Sequence, residues 1–543
     1  MQGKPRKAVR KHASTPLYVS PNQLTICGFE TPFERALTST NRWVKLSRLL
    51  PWDKIVRHYD VQFKSEEGRP PISGRTVLGA VIIKHLLNLS DRETVQQIQE
   101  NMFMQYFLGY SSFTNEAPFS PSLFVSIRQR LSLAVINTIN DIVIAHSFDK
   151  AHKEPAKNNE ADDSNNNNPT VPVVDGTDLP IEATLISEEK PALPNAGKLL
   201  MDATVAPQNI TYPTDLKLLN AARQKSEALI DKLYNKDVHG QVKVRTYRQI
   251  AQKNFLNTAK KKAKSSKEIY RANGSQLRYL KRNLQHIAGL LKACEASDLA
   301  LPLDEKDLAY LQTIQTVYDQ QFTMHTTRTH RIENRIVNIH QPHVRPIVRG
   351  KEGKKVEFGS KLQASLVNGF MVIEKLSWDN FNEGGCLIDT VEAYKTRFGF
   401  YPAEVLADRI YCNRDNRRRL KELNIMLRSK PLGRPSKEAL SNPVSPGERN
   451  PVEGKFGQAK VGYGLECIKA KLKATSESWI ATITLVLNLV NLTRLSLVSL
   501  CEWITQHLKC YFGRQKFAWS LRADPNIFNK HYTKASSKVG SIY

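Results

Sequence analysis

The sequence predicts an α/β protein, with a core of strands and helices interrupted by a large helical insertion and preceded by an all-α N-terminal domain. Three observations carry this expectation. Residues 35 to 148 keep a helical apolar period, two short apolar runs each end in an aspartate, and a long basic helical stretch separates those runs. At 543 residues the chain exceeds one ordinary core, so two to four domains are expected.

Composition points to a partner. There are 79 Lys and Arg against 52 Asp and Glu, a formal charge of +27. A surplus this large concerns partners and solubility, with nucleic acid first and an anionic membrane surface second. The seven cysteines are odd in number and form no C-x-x-C pair. That argues against a disulfide framework or a zinc knuckle and suits a reducing compartment. The N-terminus has no apolar run behind its charges, so no signal peptide is expected. The most apolar stretch, Trp479 to Leu500, holds Asn488, Asn491 and Arg494 and suits a buried core helix better than a membrane span.

In chain order, Lys4, Arg6, Lys7, Arg10 and Lys11 form an acid-free start, either a solvated tail or a basic arm. A helix is expected from near Ser73 through Val77, Ile82 and Leu86. Ser90 and Glu93 spell a capping box. Ser120-Pro121 opens another helix, with Leu123, Phe124 and Ile127 inward and Arg128 and Arg130 outward, available to DNA. Successive short helices ending in a basic one can form a helix-turn-helix, although helical bundles share the pattern. The helical domain spans 1–150. Residues 151–196 are a polar, low-complexity linker, too poor in apolar surface to offset ordering entropy.

Gly197 to Val205 suits a buried strand carrying Asp202. Asp175 competes, but Asp175-Gly176 spells a turn more simply. From 214 to 342 the pattern is helical. Thirteen bases fall between 243 and 282, among them Lys260, Lys261, Lys262 and Lys264, opposed by Glu268 alone. Such one-sign density self-repels unless it meets an anion, which favours nucleic acid. The interleaved Tyr247, Tyr270 and Tyr279 are expected to pack on neighbouring helices. His325, His330, His340 and His343 lack a cysteine partner and are expected to be solvated or phosphate-facing. A hairpin over 358–378 turns at Asn368-Gly369. A helix over Cys386–Arg397 follows, then a strand over Ala403–Asp408, a helix over Asn413–Leu423 and a strand over Ile425–Leu427. The tail 501–543 is uninformative.

In Gly447 to Lys460, Glu453 lies four residues after Arg449 and seven before Lys460, steps that return to one helix face. Asn450, Pro451 and Glu453 also fit an N-cap, a first-turn proline and a third-position glutamate; both readings can hold together. Two strand-end aspartates, Asp202 and Asp408, with the helix glutamate Glu453, form a set able to bind two divalent ions for an in-line displacement.

The chain resembles the DDE transposases of bacterial insertion sequences. Their signature runs tyrosine, two residues, arginine, three residues, glutamate, six residues, lysine; Arg449, Glu453 and Lys460 stand at that spacing, with Pro446 at the tyrosine position. Met201-Asp202-Ala203-Thr204-Val205-Ala206-Pro207, Leu406-Ala407-Asp408-Arg409 and the stretch from Val77 to Leu131 are similar to further regions of one subgroup. The resemblance implies an RNase H-like mixed-sheet catalytic core over 197–213 and 343–500, with 214–342 as its insertion. It implies two Mg²⁺ ions (Mn²⁺ as substitute) on Asp202, Asp408 and Glu453, with Arg449 and Lys460 on DNA phosphates. It also implies double-stranded DNA partners (terminal inverted repeats and target), a dimer or larger assembly on DNA, and a cytoplasmic, nucleoid-associated place. A DNA-binding protein without catalysis, or an RNase H-like structure-specific nuclease, are the alternatives.

Overall fold

The computed structural model describes residues 37–61, 63, 71–153, 194–297, 300–348, 356–429 and 446–513. The expected basic arm, Asp175, most of the linker and the tail beyond residue 513 lie outside them. The chain divides into two compact units, Met1–Asn491 and Leu492–Tyr543.

Helices come first: α1 (Arg42–Leu49), α2 (Trp52–Asp60), α3 (Gly74–Leu86), α4 (Asp91–Glu100), α5 (Met102–Leu108), α6 (Leu123–Arg130) and α7 (Leu133–Lys153). Then come β1 (Lys198–Pro207) and α8 (Asp215–Leu233), α9 (Lys236–His239), α10 (Arg248–Ala259), α11 (Ser266–Ala296) and α12 (Glu305–Thr327). Next are β2 (Arg345–Val348), β3 (Val356–Val367), β4 (Phe370–Ser377), α13 (Leu387–Phe398), β5 (Glu404–Leu406), α14 (Arg414–Glu422), β6 (Met426–Arg428), α15 (Asn450–Tyr463) and α16 (Lys473–Gly513).

Local sequence explains many boundaries. Ser90 Oγ accepts from Glu93 N while a Glu93 carboxylate oxygen accepts from Ser90 N, the capping box expected at α4. Among the first helices, buried Arg75 ties three elements together. Its Nε donates to Phe107 O, its Nη2 donates to Ser47 Oγ, and its guanidinium lies over Trp52. Asn368 and Gly369 both have positive φ (50° and 81°), so β3 and β4 form the tight hairpin that the Asn-Gly pair encodes. Gly369 is also needed for room: a Cβ there would lie 2.8 Å from Asn491 Oδ1.

The sheet is mixed. β3 lies antiparallel beside β1, and β2 and β4 pair antiparallel with β3. On the other side of β1, β5 and then β6 run parallel to it. One face packs Leu199, Met201, Val405 and Tyr411 against Leu387 and Val391 of α13 and Leu420 of α14. α7 and α16 meet β4 through a buried network. Asn488 Oδ1 accepts from Met371 N, and its Nδ2 donates to Met371 O and Asn140 Oδ1, each at 2.7 Å. Among the described residues one helix segment, Lys473–Leu495, is long and apolar enough to cross a membrane, but 78% of its apolar window is buried inside the fold. With Ile480, Val486, Leu487 and Asn488 fully buried, it is a core helix, as its sequence suggested. α8, α11 and α12 enclose a separate apolar cluster that includes Leu219, Ile230, Leu280, Ile287, Ile314 and Val317.

Candidate active site

β1 sets the site. Its pairing with β5 ends at Leu200 and Leu406. Asp202 and Asp408 each follow two residues later, so the parallel register carries both to the same edge. Asp202 therefore stands in the middle of β1, opposite Ala364 of β3, and not at its end as expected. Pairing with β3 continues to Pro207 after β5 has stopped, which keeps the strand extended past its carboxylate. Asp408 lies two residues past the end of β5 as the cap of a short 3₁₀ turn, Arg409–Tyr411; its Oδ1 accepts from Arg409 N at 2.7 Å.

Arg449 joins the two acids. Its Nη1 lies 3.1 Å from Asp408 Oδ1 and its Nη2 3.9 Å from Asp202 Oδ2. Burial pushes the Asp202 carboxyl above its ordinary range; the bond from Ala203 N and the Arg449 charge oppose this, while Glu383 and Asp408 add to it. Arg449 is not part of a regular helix. It ends a 3₁₀ turn, Pro446–Arg449, and is the residue before the first turn of α15, a place expected for Asn450. Arg428 Nη1 lies 2.8 Å from Glu448 and 3.6 Å from Glu404, which pins this turn to β5 and β6. Glu453 is exposed near the start of α15, and Lys460 lies two turns further on.

The acids can be tested against a divalent ion. Mg²⁺ sites take one or two carboxylates and complete their shell with water and substrate phosphate. Asp202 and Asp408 at one edge fit the carboxylate part of such a site. Among the described residues no three His, Cys, Asp or Glu side chains group closely enough to hold a metal by themselves. Glu453 and the two aspartates thus form no such group here, and Arg449 pairs with both aspartates.

Residues 31–130 match the family described as Transposase domain (DUF772), and residues 405–490 match Transposase DDE domain. Both matches are to transposase domains, the second of the DDE type, and they support the resemblance to the DDE transposases. The second match contains Asp408, Arg449, Glu453 and Lys460; Asp202 lies outside both. An uncharacterised protein of Rhizobium meliloti, ORF8 in the nfe locus, is 33% identical over 88 residues, 16% of this chain and 42% of that protein. The match thus spans less than half of the relative's length. No solved structure matches the chain.

The structure sorts the other candidate residues unevenly. Arg128, expected outward, is 7% exposed and makes a bidentate pair with Asp91 at 2.8 Å, with Lys84 on the same carboxylate. It ties α6 to the first residue of α4 and packs over Trp479. Arg130 is exposed and lies over Phe63. Lys260, Lys262 and Lys264 are exposed, whereas Lys261 pairs with Glu268 at 2.5 Å. His343, expected to be solvated, packs edge-on against Trp378, and burial lowers its pKa to about 4. Sequence reasoning missed Lys361 and Glu383. Lys361 is 9% exposed, and its Nζ holds Glu383 at 2.8 Å and donates to Phe381 O. Nothing local marks Lys361, because its partners arrive twenty residues later.

Proposed function

We propose that the chain is a DNA transposase that cuts at the terminal inverted repeats of an insertion sequence and joins those ends to target DNA. The reacting centre is Asp202, Asp408 and Glu453 with two Mg²⁺ ions, for which Mn²⁺ can substitute. The observation that carries this reading is the meeting of Asp202, Asp408 and Arg449 at one edge of the parallel β1–β5 pair. A mixed sheet whose central strand bears the first aspartate supports an RNase H-like core.

In this reading Arg449 and Lys460 contact phosphates near the cleaved end, and the aspartates, once released from the guanidinium, ligate metal. Bound divalent ions supply activation of water or a 3′ hydroxyl and stabilise the departing oxygen. Asp202 is held by β1 and β3 on rigid backbone, which suits a ligand that must not drift. The all-α region, the exposed Arg130 and the lysines at 260, 262 and 264 bind duplex outside the centre. The working assembly is a dimer or larger on DNA, in the cytoplasm with the nucleoid.

A second reading, DNA binding without catalysis, is favoured by Pro446 at the signature tyrosine position and by the separation of Glu453 from the aspartates. One experiment separates the two. A labelled duplex of the element's terminal repeat is incubated with the full chain and Mg²⁺ or Mn²⁺, beside Asp408→Asn and Glu453→Gln. Scission by the wild type alone supports transposase catalysis. Binding without scission by any of the three supports the second reading, and undiminished scission by either variant refutes the site assignment.

A further inference from the structure

The thirteen bases of residues 243–282 are not equivalent. Lys243 and Arg248 pair with Asp231, and Lys261 pairs with Glu268. Lys267, Arg271, Arg278 and Lys281 are exposed and form no ion pair among the described residues. Their steps of four, seven and three keep them on one stripe of α11 about 21 Å long.

Each end of that stripe carries a cation held on an aromatic ring. At one end the Arg282 guanidinium lies 4.6 Å from the Tyr247 ring centre and 5.9 Å from that of Tyr279, and Arg245 lies 4.6 Å from Tyr247. At the other, His325 stacks on Tyr270 at 4.0 Å and 9°, with Arg328 5.6 Å from the same ring. Tyr247 and Arg328 both have left-handed backbone (φ 55° and 54°), an uncommon and costly conformation for such residues. A Cβ at Gly274 would meet His325 Nε2 at 2.9 Å, so the glycine leaves room for that stack. An arginine stacked on a ring keeps its N–H donors free at the edge, and its side chain is ordered before any ligand arrives.

We propose that this face of α11 is a docking site for a duplex sugar–phosphate backbone, separate from the Asp202–Asp408 centre. A single row of cations with ordered arginines at one end fits a linear polyanion better than a planar one. The proposal rests on the DNA-substrate reading above, but it concerns binding and not cleavage.

The test measures anisotropy of the full chain on a labelled random duplex, without divalent metal, across a salt series. The variants are Lys267→Gln/Arg271→Gln/Arg278→Gln/Lys281→Gln and Arg245→Gln/Arg282→Gln. Each lost phosphate contact should reduce the salt slope by about 0.9, so the quadruple variant loses up to about 3.6. The arginine pair should lose up to about 1.8 on the same scale. Because no divalent metal is present, this assay reads binding alone, and failure of the catalytic reading is recorded separately by the end-cleavage assay above. An unchanged slope in both multiple variants overturns the proposal. So does binding to phosphatidylglycerol vesicles in preference to duplex. Acylation footprinting of Lys267 and Lys281 in the wild type is the check that needs no variant: duplex should protect both, and failure to protect them overturns the docking site.

Discussion

Replacing Arg449 with methionine should make the DNA-free protein a better metal binder. The guanidinium lies 3.1 Å from one aspartate and 3.9 Å from the other. Two unit charges about 4 Å apart attract by about 1 kcal/mol in water and several-fold more where water is partly excluded. Asp408 is 52% exposed, so its contact stays near the low end, while Asp202 at 19% lies above it. A cation that displaces the guanidinium must therefore overcome about 1–3 kcal/mol. Methionine keeps much of the apolar stem and removes the charge. Apparent Mn²⁺ affinity without DNA should rise about tenfold, the equivalent of about 1.4 kcal/mol. Electron paramagnetic resonance of free Mn²⁺, titrated against the full chain, measures this directly. Asp202→Asn/Asp408→Asn supplies the baseline. Equal or weaker Mn²⁺ binding by Arg449→Met would refute the argument, because the guanidinium would then not be competing for those carboxylates.

Other outcomes follow from the same structure. Asn488→Leu removes three 2.7 Å bonds and strands Asn140 Oδ1 and the Met371 N–H, while Asn140 Nδ2 keeps its bond to Met371 O, so unfolding should cost about 3 kcal/mol less. A urea midpoint that moves by the equivalent of less than about 1 kcal/mol would contradict this. Burial raises the Asp202 pKa, so the folded form prefers the protonated acid and its charge is a liability at neutral pH. Asp202→Asn should therefore raise the metal-free Tm, and a fall would count against the burial argument. His343 has its pKa lowered to about 4 by burial and by Lys473 and Arg345, so between about pH 6.5 and 4 the unfolded chain binds the extra proton. Stability should fall with pH across that window, by about 1–2 kcal/mol after allowance for solvent. His343→Gln should flatten the slope; an equal slope in both proteins would show that other groups cause it.

What the sequence revealed depended on range. The Asn368-Gly369 turn and the Ser90–Glu93 capping box were legible because the residues that make them lie within four positions of each other. The start of α3 after Ser73 and the burial of the Lys473–Leu495 segment of α16 followed from periodicity and polarity alone. Arg128 was misplaced because its charge suggested solvent, although its step of four from Phe124 puts it on the same helix face, and nothing local reveals Asp91, 37 residues earlier, waiting across the interface. Asp202 was expected at a strand end because the apolar run stops there, whereas β3 continues the pairing to Pro207. The Arg449 contacts were illegible for a related reason. The signature spacing placed Arg449, Glu453 and Lys460 on one helix face, but a 3₁₀ turn precedes α15 and turns the arginine to the sheet edge.

The charge distribution gives these parts a common logic. A net charge of +27 opposes compaction by self-repulsion. Around the carboxylates the bases are paired: Arg449 with both aspartates, Arg428 with Glu404 and Glu448, and Lys361 with Glu383. On α11, and on α14 at Arg414 and Arg417, exposed bases carry no ion pair among the described residues. Local neutrality at the sheet edge lets buried acids persist in the free protein, since an unpaired buried carboxylate would shift its pKa and lose its charge. Unpaired cations on the outer helices raise the attraction for a polyanion. An incoming phosphate near the edge would then compete with Asp202 and Asp408 for Arg449. Arrival of DNA would uncover the carboxylates as the same charge finds its new partner.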